Sequence, residues 1–88
     1  MNKVLSFKNE SFEDYLYWQA QDRKTLKRIN LLIRDIDRNG HVGIGKPEPL
    51  KHQFQGLWSR RIDDEHRLVY RIEGNELHIF SCRFHYDG

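Results

Sequence analysis

Six side chains in the second half of the chain could act together on a phosphodiester: Glu48, Lys51, Arg61, Arg67, His85 and Tyr86. They combine a carboxylate, cations, an imidazole and a phenol. Cleavage of RNA by its own 2′-hydroxyl needs a base for the 2′ proton and donors for the charge that builds on phosphorus. It also needs an acid for the departing 5′-oxygen. Glu48 could serve as the base. Lys51, Arg61 and Arg67 could stabilise the charge, since an arginine fork matches two phosphate oxygens. His85 is suited to donate the proton, because imidazole titrates near neutrality. The product would be a 2′,3′-cyclic phosphate, formed without a metal or other cofactor.

Each residue also has a plainer reading. Glu48 would be a solvent-exposed carboxylate in a turn, and the arginines surface partners of Asp63, Asp64 and Glu65. His85 and Tyr86 would belong to a frayed tail, or Tyr86 would stack on a base. Other chemistries find less support. Gly40, Gly43 and Gly45 do not follow a parallel-sheet strand, and no Lys-Ser/Thr pair follows them, so no nucleotide-binding loop is expected. His52, His66, His78 and His85 are 14, 12 and 7 residues apart, which is not a metal-ligand spacing. Cys82 is expected to be a small hydrophobe rather than a nucleophile.

The elements that must position these groups follow from the patterning. A short strand is expected near Val4, Leu5 and Phe7. A helix should start at Asn9-Glu10-Ser11, with Ser11 as N-cap and Phe12, Tyr15, Leu16 and Gln19 on one face. A second helix is expected over 23–38, with Leu26, Ile29, Ile33 and Ile36 as its stripe and Leu32 broadening it. Asp22 or Thr25 would cap it, and Asn39-Gly40 would end it. Residues 40–50, with three Gly and two Pro, form a constrained loop that restricts the backbone at Glu48 between Pro47 and Pro49. Strands are expected over 57–62, 67–72 and 77–84, joined by hairpins. Leu68, Tyr70 and Ile72 share one face, and Arg67, Val69 and Arg71 the other. In the last strand Leu77 and Ile79 alternate with His78, Phe80 and Cys82. The hairpin register leaves either Arg61 or Ile62 opposite Arg67. The fold expected is α+β: two N-terminal helices packed on one face of a twisted antiparallel β-sheet, with the first strand joining that sheet.

The 88 residues suffice for one small domain, 1–88. Fifteen Lys and Arg against 13 Asp and Glu leave a net charge of +2, which neither demands nor excludes nucleic acid. One cysteine forbids an internal disulfide. The start, MNKVLSFKNESF, lacks the apolar run of a signal peptide, and no stretch is long enough to span a membrane. A soluble cytoplasmic protein is expected.

The segments DYLYWQ, KRINLLI, GKPEPLKH, GLWSRRI, EHRLVY and CRFHY, in this order and spacing, resemble the YoeB toxins of the RelE/ParE toxin–antitoxin superfamily. The resemblance runs from about Lys3 to Tyr86. It implies a RelE-like fold and an endoribonuclease that enters the A site of the 70S ribosome and cuts the mRNA there, inhibiting translation. The family's catalytic carboxylate falls on Glu48, its transition-state arginine on Arg67, its proton-donating histidine on His85 and the neighbouring tyrosine on Tyr86. Lys51 and Arg61 match basic residues that contact RNA or phosphate. The resemblance also implies a YefM-type antitoxin whose tail folds onto the toxin, operator DNA bound through that complex, and a possible homodimer. Competing readings are a DNA-associated interaction protein without chemistry and a gyrase-poisoning relative. The KPEPLKH segment and the terminal His85-Tyr86 pair argue against the latter.

Overall fold

The computed structural model describes residues 1–84. The chain forms β1 (Val4–Phe7), α1 (Ser11–Gln21), α2 (Arg23–Asn39), β2 (Glu48–Pro49), a 3-10 turn (His52–Phe54), β3 (Trp58–Arg61), β4 (Arg67–Glu73) and β5 (Glu76–Ser81). The strands make one five-stranded sheet in the order β1-β5-β4-β3-β2. Strands β2 to β5 pair antiparallel with their neighbours, and β1 lies parallel to β5. The expected α+β architecture is present, and β1 makes its sheet mixed. Among the described residues no helix is long and apolar enough to cross a membrane.

Both helices pack on one sheet face. Ile29, Leu32, Ile33 and Ile36 of α2 and Trp18 of α1 bury against Ile62, Leu68, Tyr70, Leu77, Ile79 and Cys82. The stripe of α2 follows from i, i+3, i+4 spacing. Asp22 caps this helix, accepting from the backbone N–H of Lys24 and Thr25 and from the Thr25 hydroxyl. Gly40 ends it at φ 69° and donates its N–H to Ile36 O.

Helix α1 departs from the expected pattern. Ser11 is not a cap: it is the first helical residue, fully buried, and its hydroxyl donates to the backbone carbonyl of Ile79. The buried residues of α1 are Ser11 and Trp18, while Phe12 and Leu16 are exposed. A short helix with apolar residues on several sides leaves its orientation to tertiary contacts. Here the Trp18 indole N–H donates 2.8 Å to Cys82 O and turns that side inward.

The last strand ends at Ser81 rather than near 84, and it carries a bulge. Val69 pairs with Ser81 and Tyr70 with Ile79, so Phe80 is left without a partner. One extra residue inverts the alternation beyond it. Cys82 therefore falls in the core and not on the face of His78, where strict alternation would put it. Burial and the nearby Asp14 carboxylate push its thiol up to about 12, so it is an inert small side chain.

Candidate functional site

The sheet face opposite the helices gathers three of the expected groups, Glu48, Arg61 and Arg67, along adjoining rows. Glu48 pairs with Ser59, Ser59 with Val69, and Val69 with Ser81. One row on, Arg61 lies directly opposite Arg67, which selects one of the two registers left open by the sequence. Arg61 and Ser59 are two residues apart on β3, so Glu48 lies about 7 Å along the strand direction from the arginine pair. Lys51 is exposed where the chain leaves β2 for the 3-10 turn, three residues beyond Glu48. His85 and Tyr86 lie outside the described residues.

Arg67 is fixed by the hairpin that precedes it. Its Nη1 donates to Asp63 O at 2.7 Å and His66 O at 3.1 Å. The carboxylate of Asp63 is turned elsewhere, accepting from the backbone N–H of Glu65 and His66. Among the described residues no ion pair joins Arg61 or Arg67 to Asp63, Asp64 or Glu65. The expectation that these acids neutralise the arginines is not met. Two guanidinium groups directly opposite one another repel unless an anion lies between them.

The loop that presents Glu48 is organised from inside by Arg60, a residue that sequence reasoning passed over. Arg60 is completely buried and paired with Asp35 of α2. It also donates to the carbonyls of Gly40, Val42 and Ile44 and to the Tyr70 hydroxyl. Asp35 accepts in turn from Ile44 N–H and the Asn39 side chain. Burial pushes the Asp35 carboxyl up, but Arg60 and these donors together hold it below the ordinary carboxylate range. The wrapping is close. A Cβ on Gly43, whose φ is +143°, would fall 1.9 Å from Asp35 Oδ2. One on Gly45 would fall 2.8 Å from Leu32 Cδ2. Gly45 O then accepts from Arg61 N–H, joining the loop to β3.

A second overlooked group is His66. It is nearly buried, stacked edge-on against Trp18 with ring centroids 4.8 Å apart. Its Nδ1 accepts from Phe84 N–H at 2.7 Å, so Nδ1 must carry its lone pair. Arg67 N–H donates to Phe84 O at 2.8 Å. Upstream, the Asp14 carboxylate accepts from Cys82 N–H. The chain from Cys82 to Phe84 is thus held by α1, by His66 and by the start of β4. It reaches the edge of the Arg67 site just before His85. The signal for His66 was present in EHRLVY, but its role depends on Phe84, which is 18 residues away.

Comparison with known proteins places the chain in a family. Residues 7–86 match the family described as YoeB-like toxin of bacterial type II toxin-antitoxin system. A curated relative, toxin YoeB of Synechocystis, is 58% identical over 82 residues, covering 93% of this chain and 95% of its own. The solved YoeB dimer from Staphylococcus aureus superposes with a TM-score of 0.91 at 49% identity, over 98% of this chain and all of that one. The YoeB chain of a YoeB–YefM complex from the same organism gives 0.89 at 48% identity, with the same coverage of both chains. On sequence and on fold alike, the chain belongs to the YoeB-like toxins of bacterial type II toxin–antitoxin systems.

Proposed function

We propose that this toxin is a ribosome-dependent endoribonuclease that cuts mRNA in the A site and so inhibits translation, the whole of 1–88 acting as one domain. The observation that carries the reading is the Arg61–Arg67 pair, exposed at Arg61 and half-buried at Arg67, without an acidic partner among the described residues, on the same sheet face as Glu48. A scissile phosphate between the arginines would relieve their repulsion and receive their donors. Glu48 would take the 2′ proton. The alkoxide formed would attack phosphorus, and the P–O5′ bond would break as His85 protonates the leaving oxygen. Tyr86 would align the nucleotide, and Lys51 would hold the neighbouring backbone. The products are a 2′,3′-cyclic phosphate and a free 5′-hydroxyl, and no metal enters the chemical step.

The toxins in the relatives' structures occur as a dimer and with YefM. A YefM-type antitoxin is accordingly the proposed inhibitor here, with operator DNA bound through the complex, and a homodimer the free form. The cytoplasm, where ribosomes and mRNA lie, is the proposed location. The test is a ribosome programmed with mRNA and an empty A site, incubated with EDTA-treated toxin in Mg²⁺ sufficient only to keep the ribosome intact. A cut confined to the A-site codon with a cyclic or 3′-phosphate end supports the reading. A folded toxin that binds the ribosome and leaves the message whole overturns it.

A further inference from the structure

At the far end of β4, six residues from Arg67 and so about 20 Å along the strand, the open face carries a different cluster. Glu73 and Glu76 are direct cross-strand partners flanking the β4–β5 turn. His78 lies two residues beyond Glu76 and therefore on the same face. Its side chain is only 8% exposed. Nε2 lies 3.1 Å from Glu76 Oε1 and 3.5 Å from Glu73 Oε1, yet makes no hydrogen bond among the described residues. The three ligand-type atoms all lie within 4.8 Å of one another.

We propose that Glu73, Glu76 and His78 form a binding site for a zinc-like divalent cation, separate from the RNA-facing site. Two carboxylates directly opposite each other repel, and a cation between them removes that cost. A buried imidazole nitrogen that makes no hydrogen bond among the described residues, within 3.5 Å of both carboxylates, supplies the third ligand. The two nitrogen–oxygen spacings, 3.1 and 3.5 Å, lie near those the ion sets, since donors about 2.0–2.2 Å from tetrahedral Zn²⁺ stand roughly 3.3–3.6 Å apart. The imidazole favours zinc and its neighbours over Mg²⁺ or Ca²⁺. On its other side, His78 Nδ1 is hydrogen-bonded to Ser6 Oγ at 2.7 Å. With Nδ1 as donor, Nε2 keeps the lone pair a metal requires, and the ring is oriented as metal-ligating histidines usually are. The carboxylates are more than half exposed, which leaves room for water in a fourth position. Arg71 lies 3.5 Å from the same Glu73 oxygen and competes for it, which moderates the affinity. Because Ser6 belongs to β1, a bound ion would brace the edge strand together with the β4–β5 hairpin.

The test is isothermal titration of EDTA-stripped toxin with Zn²⁺, alongside the imidazole ¹⁵N spectrum. The wild-type chain should take up one equivalent with a shift of His78 Nε2, and E73Q and E76Q should each bind at least tenfold more weakly. The melting temperature should rise with Zn²⁺ in the wild type only. Both glutamates are exposed, so the variants should fold. Absence of uptake, an unmoved His78 resonance, or either variant binding as tightly as wild type would overturn the proposal and leave a histidine–carboxylate contact. Ribosome-dependent cleavage plays no part in this readout.

Discussion

Charge placement decides what single residues can do on the open face. Glu48 is exposed next to a proline on each side, and Arg67 is pinned through Nη1 to two carbonyls of its own hairpin. A guanidinium fixed in this way does not need to be ordered when charge develops on phosphorus. R67A should therefore retain the fold and ribosome binding and lose about 10²–10³-fold in single-turnover cleavage. R67K should recover little, since an ammonium lacks the fork. E48Q should lower the same rate by about 10²–10⁴-fold, the usual worth of a general base. A cleavage rate of either R67A or E48Q equal to wild type removes that residue from the chemical step. Much of this was legible beforehand. Alternation in β4 separates Arg67 from Leu68 and Tyr70, and the KPEP segment marks Glu48. Arg60 was not legible. It sits next to Arg61 in sequence and has the same chemistry, and only the facing of β3 separates a buried structural cation from an exposed one.

Elements hold the site by contacts between distant parts of the chain. The loop 40–47 has no regular structure of its own and is wound around Arg60. Removing one partner of such a buried pair typically costs about 3–5 kcal/mol, because the other charge is left uncompensated. R60M should lower stability by an amount of this order in urea unfolding. Cleavage should fall as well, since the loop that ends at Glu48 loses its four carbonyl and carboxylate anchors. The segment before His85 depends in a similar way on His66. H66F would keep the ring against Trp18 and remove the side-chain acceptor of Phe84 N–H. H66N would offer an oxygen near the position of Nδ1. Cleavage at saturating ribosome concentration should fall in H66F and recover in H66N. Equal rates in the two variants would show that the bond to Phe84 does not matter for turnover.

On the scale of the whole molecule, acid stability rests on a few carboxylates that tie elements together. Asp35 joins α2 to β3 and the loop. Asp37 accepts from Asn2 N–H and Lys3 N–H, joining α2 to the segment before β1. These bonds hold Asp37 below the ordinary range, as its partners do for Asp35. A depressed folded value means that the unfolded chain binds the proton more readily. The stabilisation is complete above the ordinary carboxylate range and is lost as pH falls through the folded values. The urea midpoint should therefore be level near neutrality and decline below about pH 4. D37N should flatten that decline; an unchanged slope would assign the acid sensitivity to other groups.

The sequence by itself determined the α+β class, the stripe and the Gly40 stop of α2, the hairpins of the last three strands and the family. These depend on local periodicity, turn chemistry and motif spacing, which can be read along the chain before any distant contact forms. Tertiary structure decided which side of α1 turns inward, where β1 pairs, that the last strand bulges at Phe80, and that Arg60 and His66 organise the site from behind. Each of these depends on a partner far along the chain. A hydroxyl, an indole or a guanidinium has no preferred face until the group that satisfies it has been brought alongside.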